Sequence, residues 1–398
     1  MSSNQAEKHE LSSELIWILA IGCGVTVANL YYSQPLLAQM AKSWHSSEAN
    51  MGSMAALTMS GYGTGLLLFV PLGDIFDRRT LILFFLGAVI AVLCCLASAP
   101  NLTIFAICTF LVGCLTIIPQ LIIPLATALA KIEQRGGIVG KLMSGLLLGI
   151  LVSRTVGGFI GEQAGWRAVY WSAAAINAIL LLALFFRLPK CQTKSKLHYF
   201  ELLRTLWQIA VKERMVQSSA FFGAMTFAAF NAFWTTLSFF TTIPPYNLDA
   251  ERIGLFGLVG ASGVLAAPIA GRLADRRGPM FGIGFSLVLM LFSWGVLWLF
   301  GLNYFGLIAG IVFLDMAAHA SQVSNMARIY ALPAELHSRV NTIYMTAYFV
   351  GGSLGAWAGA QAWAKFGWAG VCSAGALFPL LGFLIFVIVA TQRNNKTN

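Results

Sequence analysis

The chain has 398 residues, 58% of them hydrophobic and only 10% charged, with a formal net charge of +10. Soluble globular domains carry about a quarter charged residues, so this composition excludes a soluble enzyme or scaffold. Apolar runs of about 20 residues, long enough to cross ~30 Å of hydrocarbon as a helix, recur throughout and predict an all-α polytopic membrane protein.

Residues 1–14 are polar, with Glu7, Glu10 and Glu14, and read as a cytoplasmic tail rather than a cleaved signal. Twelve spans follow, at 15–40, 51–72, 80–98, 102–129, 138–160, 166–186, 216–242, 252–271, 280–299, 302–326, 340–363 and 367–391. They divide into an N-terminal half at 15–186 and a C-terminal half at 216–391. A basic linker, 187–215, joins the halves, and 392–398 forms a second tail. In the linker, Leu197, Phe200, Leu203, Leu206, Trp207 and Ala210 fall at helical spacing, which predicts an amphipathic helix on the membrane surface.

Two matching stretches fix the architecture. Gly73–Arg79 reads G-D-I-F-D-R-R, and Gly271–Arg277, about half the chain later, reads G-R-L-A-D-R-R. Each lies between two apolar runs, so the chain is a tandem repeat of two pseudo-symmetric six-helix halves. Of the 25 Lys and Arg residues, Lys42, Arg167, Arg252 and Lys365 fall in segments of one side and Arg154 falls inside a span. The rest gather on the opposite side. The positive-inside rule therefore places both termini in the cytoplasm, as expected for a cell inner membrane protein. It also accounts for the net charge, which then meets anionic lipid rather than nucleic acid.

The spans are of two kinds. Spans 2, 5, 8 and 11 carry small residues, mostly at four-residue spacing: Gly61 and Gly65; Gly145, Gly149, Ser153, Gly157 and Gly161; Gly257 and Ala261, with Gly254; Gly351, Gly355 and Gly359. Such faces let helices pack closely and slide past one another. Spans 1, 4, 7 and 10 carry polar and aromatic groups, which belong against a shared interior cavity rather than lipid.

The whole chain resembles the major facilitator superfamily, whose signature between spans 2 and 3 runs G-x-L-A-D-R-x-G-R-K. Gly73, Asp77 and Arg78 match it in the first copy, with Thr80 where the family has Gly. Gly271, Leu273, Ala274, Asp275, Arg276 and Gly278 match it in the second. A-N-L-Y-Y-S-Q-P-L-L at 28–37 and N-T-I-Y at 341–344 resemble bacterial twelve-span drug:proton antiporters. Ser153-Arg154 stands where the antiporter motif has Gly-Pro, and Thr109 stands where the span-4 motif has Arg. The resemblance implies a conformational latch formed by Gly73, Asp77, Arg78, Arg79, Asp275 and Arg276. Physically, the Asp77 carboxylate suits the positive end of a neighbouring helix, span 11 on this reading.

Asp315 is the one acidic residue deep inside a span, the position expected of a group that loads and releases a proton; the bland alternative is a structural carboxylate between helices. His319 lies one turn on, suited to sharing that proton, to holding the carboxylate, or to packing. Arg154 keeps its charge, so a buried position implies a counter-charge, Asp315 or Glu162, or an anionic ligand; the bland alternative is an Arg that seals the outer interface through backbone carbonyls. Substrate contacts are expected from Asn29, Tyr31, Tyr32, Gln34, Gln120, Asn231, Trp234, Gln322 and Asn325, amide and aromatic groups suited to an amphiphilic ligand.

The expected function is proton-coupled efflux of a small amphiphilic organic molecule by alternating access. Uptake of a sugar, amino acid or siderophore-like solute on the same fold is the alternative. No cofactor is expected beyond the proton gradient. Gly136-Gly137…Gly140-Lys141 lacks the spacing and the Ser/Thr of a phosphate loop. The five histidines (His9, His45, His198, His319 and His337) are scattered, so neither a metal nor an enzymatic site is expected. The cysteines lie mostly within apolar runs, where they pack. The expected partners are the small-molecule substrate, protons and membrane lipid, with the protein acting as a monomer.

Overall fold

A computed structural model describes residues 12–189 and 199–397, with backbone alone at 132, 261–262, 264–275, 334 and 393–397. The elements in the N-terminal half are α1 (Ser13–Ala28), α2 (Leu37–Ser43), α3 (Glu48–Phe69), α4 (Arg78–Ala97), α5 (Leu102–Leu115), α6 (Ile118–Leu129), α7 (Arg135–Ala164) and α8 (Trp166–Arg187). After α9 (Tyr199–Lys212) come α10 (Arg214–Thr241), α11 (Ala250–Arg277), α12 (Pro279–Phe300), α13 (Tyr304–Ile329) and α14 (His337–Thr397). The last runs through two spans, broken at Gly367, whose φ of 59° and ψ of −148° lie outside the helical region and suit glycine. Nine helices among the described residues are long and apolar enough to cross a membrane.

Two expected spans are discontinuous, and proline explains both. The first is α1 followed by a short 3-10 turn with Pro35 near its start, and then α2. The fourth breaks at Thr116 and Ile117, where Pro119 sits in the first turn of α6. Proline has no N–H for the helical ladder and its ring crowds the preceding turn, so the helix must restart. Gln34 and Gln120 sit just beside these breaks.

The linker helix α9 buries Leu202, Leu206 and Ile209 and leaves Phe200 and Trp207 outside, 80% and 72% exposed. Its apolar residues form one broad arc, with the edge at Leu202, Leu206 and Ile209 turned inward and the edge at Phe200 and Trp207 left outside. The inner face meets both halves: the Tyr199 hydroxyl donates to Leu68 O at 2.8 Å. Leu202 and Leu206 share a small cleft with Pro71, Asp74, Arg339 and Thr342. The beginning of the expected helix, at 197–198, lies outside the described residues.

The halves meet along two helix pairs, α3 with α14 and α7 with α11. Most of the glycine stripes pack inside one half. Gly145 and Gly149 bring α7 against the α1 backbone at Ala20 and Gly24, and Gly351 and Gly355 bring α14 against Ala224 and Ala228 of α10. Backbone-to-backbone contact across the halves comes instead from Gly158 and Gly254, which meet Ala250 and Arg154. The end of the bundle away from the termini is fastened by hydrogen bonds between the halves. Trp363 Nε1 donates to Glu48 Oε2 at 2.5 Å, the Ala250 N–H to Glu162 Oε2 at 3.1 Å, and Thr155 Oγ1 to Gly254 O at 3.1 Å. Ser353 Oγ adds a bond to Ala56 O at 2.8 Å.

Candidate functional site: a cavity between the halves

A cavity of about 100 Å3 lies between the halves. Its walls come from α1 (Val27, with Tyr31 just beyond), α3 (Tyr62), α6 (Gln120), α7 (Met143 to Arg154), α10 (Phe227, Phe230), α13 (Asp315, His319, Gln322) and α14 (Met345, Tyr348, Phe349). Arg154 is ten residues from the far end of α7 and Asp315 eleven from that of α13, so at ~1.5 Å per residue both lie roughly 16 Å deep. From that level the cavity extends along α7 and α13 toward the end of the bundle that carries the termini.

Arg154 and Asp315 are each 2% exposed. Arg154 Nε donates to Gln34 Oε1 at 2.7 Å. The guanidinium carbon lies 3.8 Å from the Trp234 ring centroid, 5.3 Å from Tyr31 and 5.9 Å from Phe230. A desolvated cation over an indole face gains about 2 kcal/mol, which offsets part of the cost of burying the charge. Asp315 is close enough to Arg154 for their charges to interact, but no nitrogen–oxygen pair between them comes within 4.0 Å. The Trp234 indole N–H faces the Asp315 carboxylate without closing a hydrogen bond on it. α11 is pressed against this carboxylate: a Cβ at Gly260 would stand 3.0 Å from Asp315 Oδ1, and one at Gly263 2.6 Å from Asp315 Cβ.

The cavity therefore gathers Tyr31, Gln120, Arg154, Asp315, His319 and Gln322 from the sequence candidates. Gln34 and Trp234 stand behind Arg154, lining a void of about 10 Å3 with Pro35, Leu237 and Ile253. The remaining candidates point elsewhere. Asn29 Oδ1 accepts from Asn177 at 3.3 Å, Tyr32 packs on Gly157, Asn231 donates to Phe227 O at 3.1 Å, and Asn325 donates to Ser321 O at 2.9 Å. These contacts run within or between helices and leave Asn29 Nδ2, Asn231 Oδ1 and Asn325 Oδ1 without a partner; none of the four residues lines the cavity. The sequence reading missed the aromatic walls, Tyr62, Phe227, Phe230, Tyr348 and Phe349. The spacing of Phe227, Phe230 and Trp234 on one helix face was the available signal.

At the repeated loop, Asp77 caps α4, the helix that follows it, accepting from Thr80 N at 3.1 Å and Thr80 Oγ1 at 2.9 Å. Thr80, which replaces the family's Gly, supplies both donors. Arg78 donates to Gly73 O at 3.0 Å and to Asp74 at 3.3 Å, and Arg79 to Phe185 O at 2.7 Å. A Cβ at Gly73 would stand 2.9 Å from Leu121. In the second copy Arg276 is exposed, and the side chains of Gly271 to Asp275 lie outside the described residues. Asp77→Ala is expected to destabilise the protein by about 1 kcal/mol, the usual loss on removing an N-cap, read as a lower midpoint in thermal unfolding of the purified protein.

Residues 19–356 match the family model for the Major Facilitator Superfamily. The chain is 38% identical over 378 residues to the putative uncharacterized transporter YgaY of Escherichia coli K12, covering 95% of this chain and 96% of that protein. It is 30% identical to the probable transporter SCO4007 of Streptomyces coelicolor, over 92% and 85% of the two chains. Among solved structures, a mutant of the nucleoside transporter NupG superposes with a TM-score of 0.78 at 12% identity, over 94% of this chain and 99% of that one. A mutant of the peptide transporter POT, in complex with alafosfalin, gives 0.77 at 12% identity, over 95% and 94%. With two six-helix halves enclosing a polar and aromatic cavity, this multi-pass membrane protein belongs to the Major Facilitator Superfamily of transporters.

Proposed function

We propose that this protein exports a small amphiphilic organic molecule across the cell inner membrane in exchange for protons, by alternating access. The observation that carries this reading is Asp315, a buried carboxylate on the wall of a cavity shared by both halves. A carboxylate there can take a proton from one side and release it to the other, while the aromatic walls hold the apolar part of the substrate. The basic residues favour a cytoplasmic position for the termini, and the cavity extends toward that end. Loading from the cytoplasm is what an exporter needs. The hydrogen bonds at the opposite end act as the outer closure, and rocking of the halves breaks them.

Growth of strains lacking or overproducing the protein, screened against toxic compounds and metabolites, identifies the substrate. In reconstituted vesicles, substrate added outside is expected to drive protons out as it enters. Protons entering with the substrate would make the protein a symporter instead.

The closure is testable on its own. Trp363→Phe keeps an aromatic side chain and removes the N–H that Glu48 accepts. It is expected to raise several-fold the rate at which a cysteine replacing Leu237 is labelled from the outer side by an impermeant maleimide. An unchanged rate means that this bond carries no part of the closure.

A further inference from the structure

We propose that the corner between Arg154 and Asp315 is a zwitterion site that takes the head group of a free α-amino acid with an apolar side chain. The carboxylate sits on Arg154, the ammonium on Asp315, and the side chain lies among Tyr31, Phe227, Phe230 and Tyr348. This assignment rests on the transport reading above and adds the chemical class of the substrate.

The first argument is free bonding capacity. Arg154 uses Nε on Gln34 and its flat face on Trp234, leaving Nη2 without a hydrogen-bond partner. Arginine only donates, so the oxygen of the Gln34 amide must face it, and Gln34 Nε2 becomes a second donor. That nitrogen is also without a partner, while the Trp234 N–H faces Asp315. Unused donors thus cluster around Arg154. The unused acceptor is Asp315 Oδ2.

The second argument is spacing. The two charges are too far apart for an ion pair, yet both border one indole ring, since the guanidinium lies 3.8 Å from the Trp234 centroid and the carboxylate lies beside its N–H edge. A group carrying opposite charges on adjacent carbons can bridge that separation, with one hydrogen bond of about 2.9 Å at each end.

The third argument is charge balance. A simple organic cation at Asp315 meets the Arg154 charge, and a simple anion at Arg154 meets Asp315. Buried charges left without a partner are costly, and a zwitterion answers both at once. The other titratable groups lining the cavity are His319, one turn along α13, and the Tyr31, Tyr62 and Tyr348 hydroxyls. The ammonium and a proton then compete for one carboxylate, which is the exclusivity that exchange requires.

The test uses the purified full-length protein and three probes on one scaffold: phenylalanine, its methyl ester and its N-acetyl derivative, with leucine as a second zwitterion. Calorimetry or thermal shift is expected to show both free amino acids binding at least tenfold more tightly than the ester or the N-acetyl compound. Arg154→Gln is expected to erase the preference over the ester, and Asp315→Asn the preference over the N-acetyl compound. Equal binding of the three phenylalanine probes, tighter binding of the ester, or no binding of either amino acid to the unaltered protein overturns the assignment without recourse to variants. If phenylalanine binds but no proton exchange accompanies its movement in vesicles, the site stands and the export reading fails. If another compound class exchanges with protons while neither amino acid binds or competes, the export reading stands and the zwitterion site fails.

Discussion

Asp315→Asn is expected to reduce transport driven by a pH gradient to the background of empty vesicles while the protein still folds. Asparagine keeps the size of the side chain, so the close packing of Gly260 and Gly263 against it survives. The amide still presents an oxygen toward the Trp234 N–H. It cannot cycle between charged and neutral states, and that cycle is the step assigned to this position. Exchange of labelled for unlabelled substrate needs no net proton movement and is expected to persist once the substrate concentration is raised at least tenfold to offset the lost ammonium contact, which separates the coupling defect from the binding defect. The measurements are proton flux with a pH-sensitive dye, substrate exchange, and the melting temperature of the purified variant. Gradient-driven transport at the rate of the unaltered protein would remove Asp315 from the mechanism.

The second large effect concerns stability. A Cβ at Gly355 would lie 1.9 Å from the Ala228 carbonyl oxygen and 2.4 Å from its carbon. The obstacle is backbone in the middle of α10, so no side-chain rotation relieves it and the helices must separate. Overpacking of this kind costs about 1–3 kcal/mol where side chains can yield, and Gly355→Ala is expected to reach about 3 kcal/mol or more. It should appear as a lower melting temperature and a lower yield of folded protein. Gly87→Ala is the control: nothing lies within 4 Å of the added carbon, and removing a glycine from a helix interior stabilises by about 0.5–1 kcal/mol. Equal effects for the two substitutions would show that α10 and α14 are not in close backbone contact at this point.

Which features could be read from the residues depends on the physics of each. The spans and the repeat were legible because a bilayer forces every crossing segment to be apolar and of similar length, and because the paired G-x-x-x-D-R-R loops interrupt that pattern at matching points. Arg154 and Asp315 were legible because a charge in an apolar run has few explanations. Direction was harder to read. Asn29, Asn231 and Asn325 looked like Gln120 in one dimension, yet they bond to Asn177 and to neighbouring backbone carbonyls. The glycine stripes announced close packing without naming the neighbour; only the structure shows that Gly145 and Gly351 serve their own halves while Gly158 and Gly254 meet across the divide. The aromatic walls escaped because phenylalanine and tyrosine are equally at home facing lipid.

Gly367 joins the final two crossings with a single non-helical residue. A hinge that short has no slack, so the closing limb must follow whatever its predecessor does, like two blades on one rivet. A fluorophore fixed near Phe378, remote from the cavity, would then report the swing of the whole carboxy-terminal block without perturbing cargo.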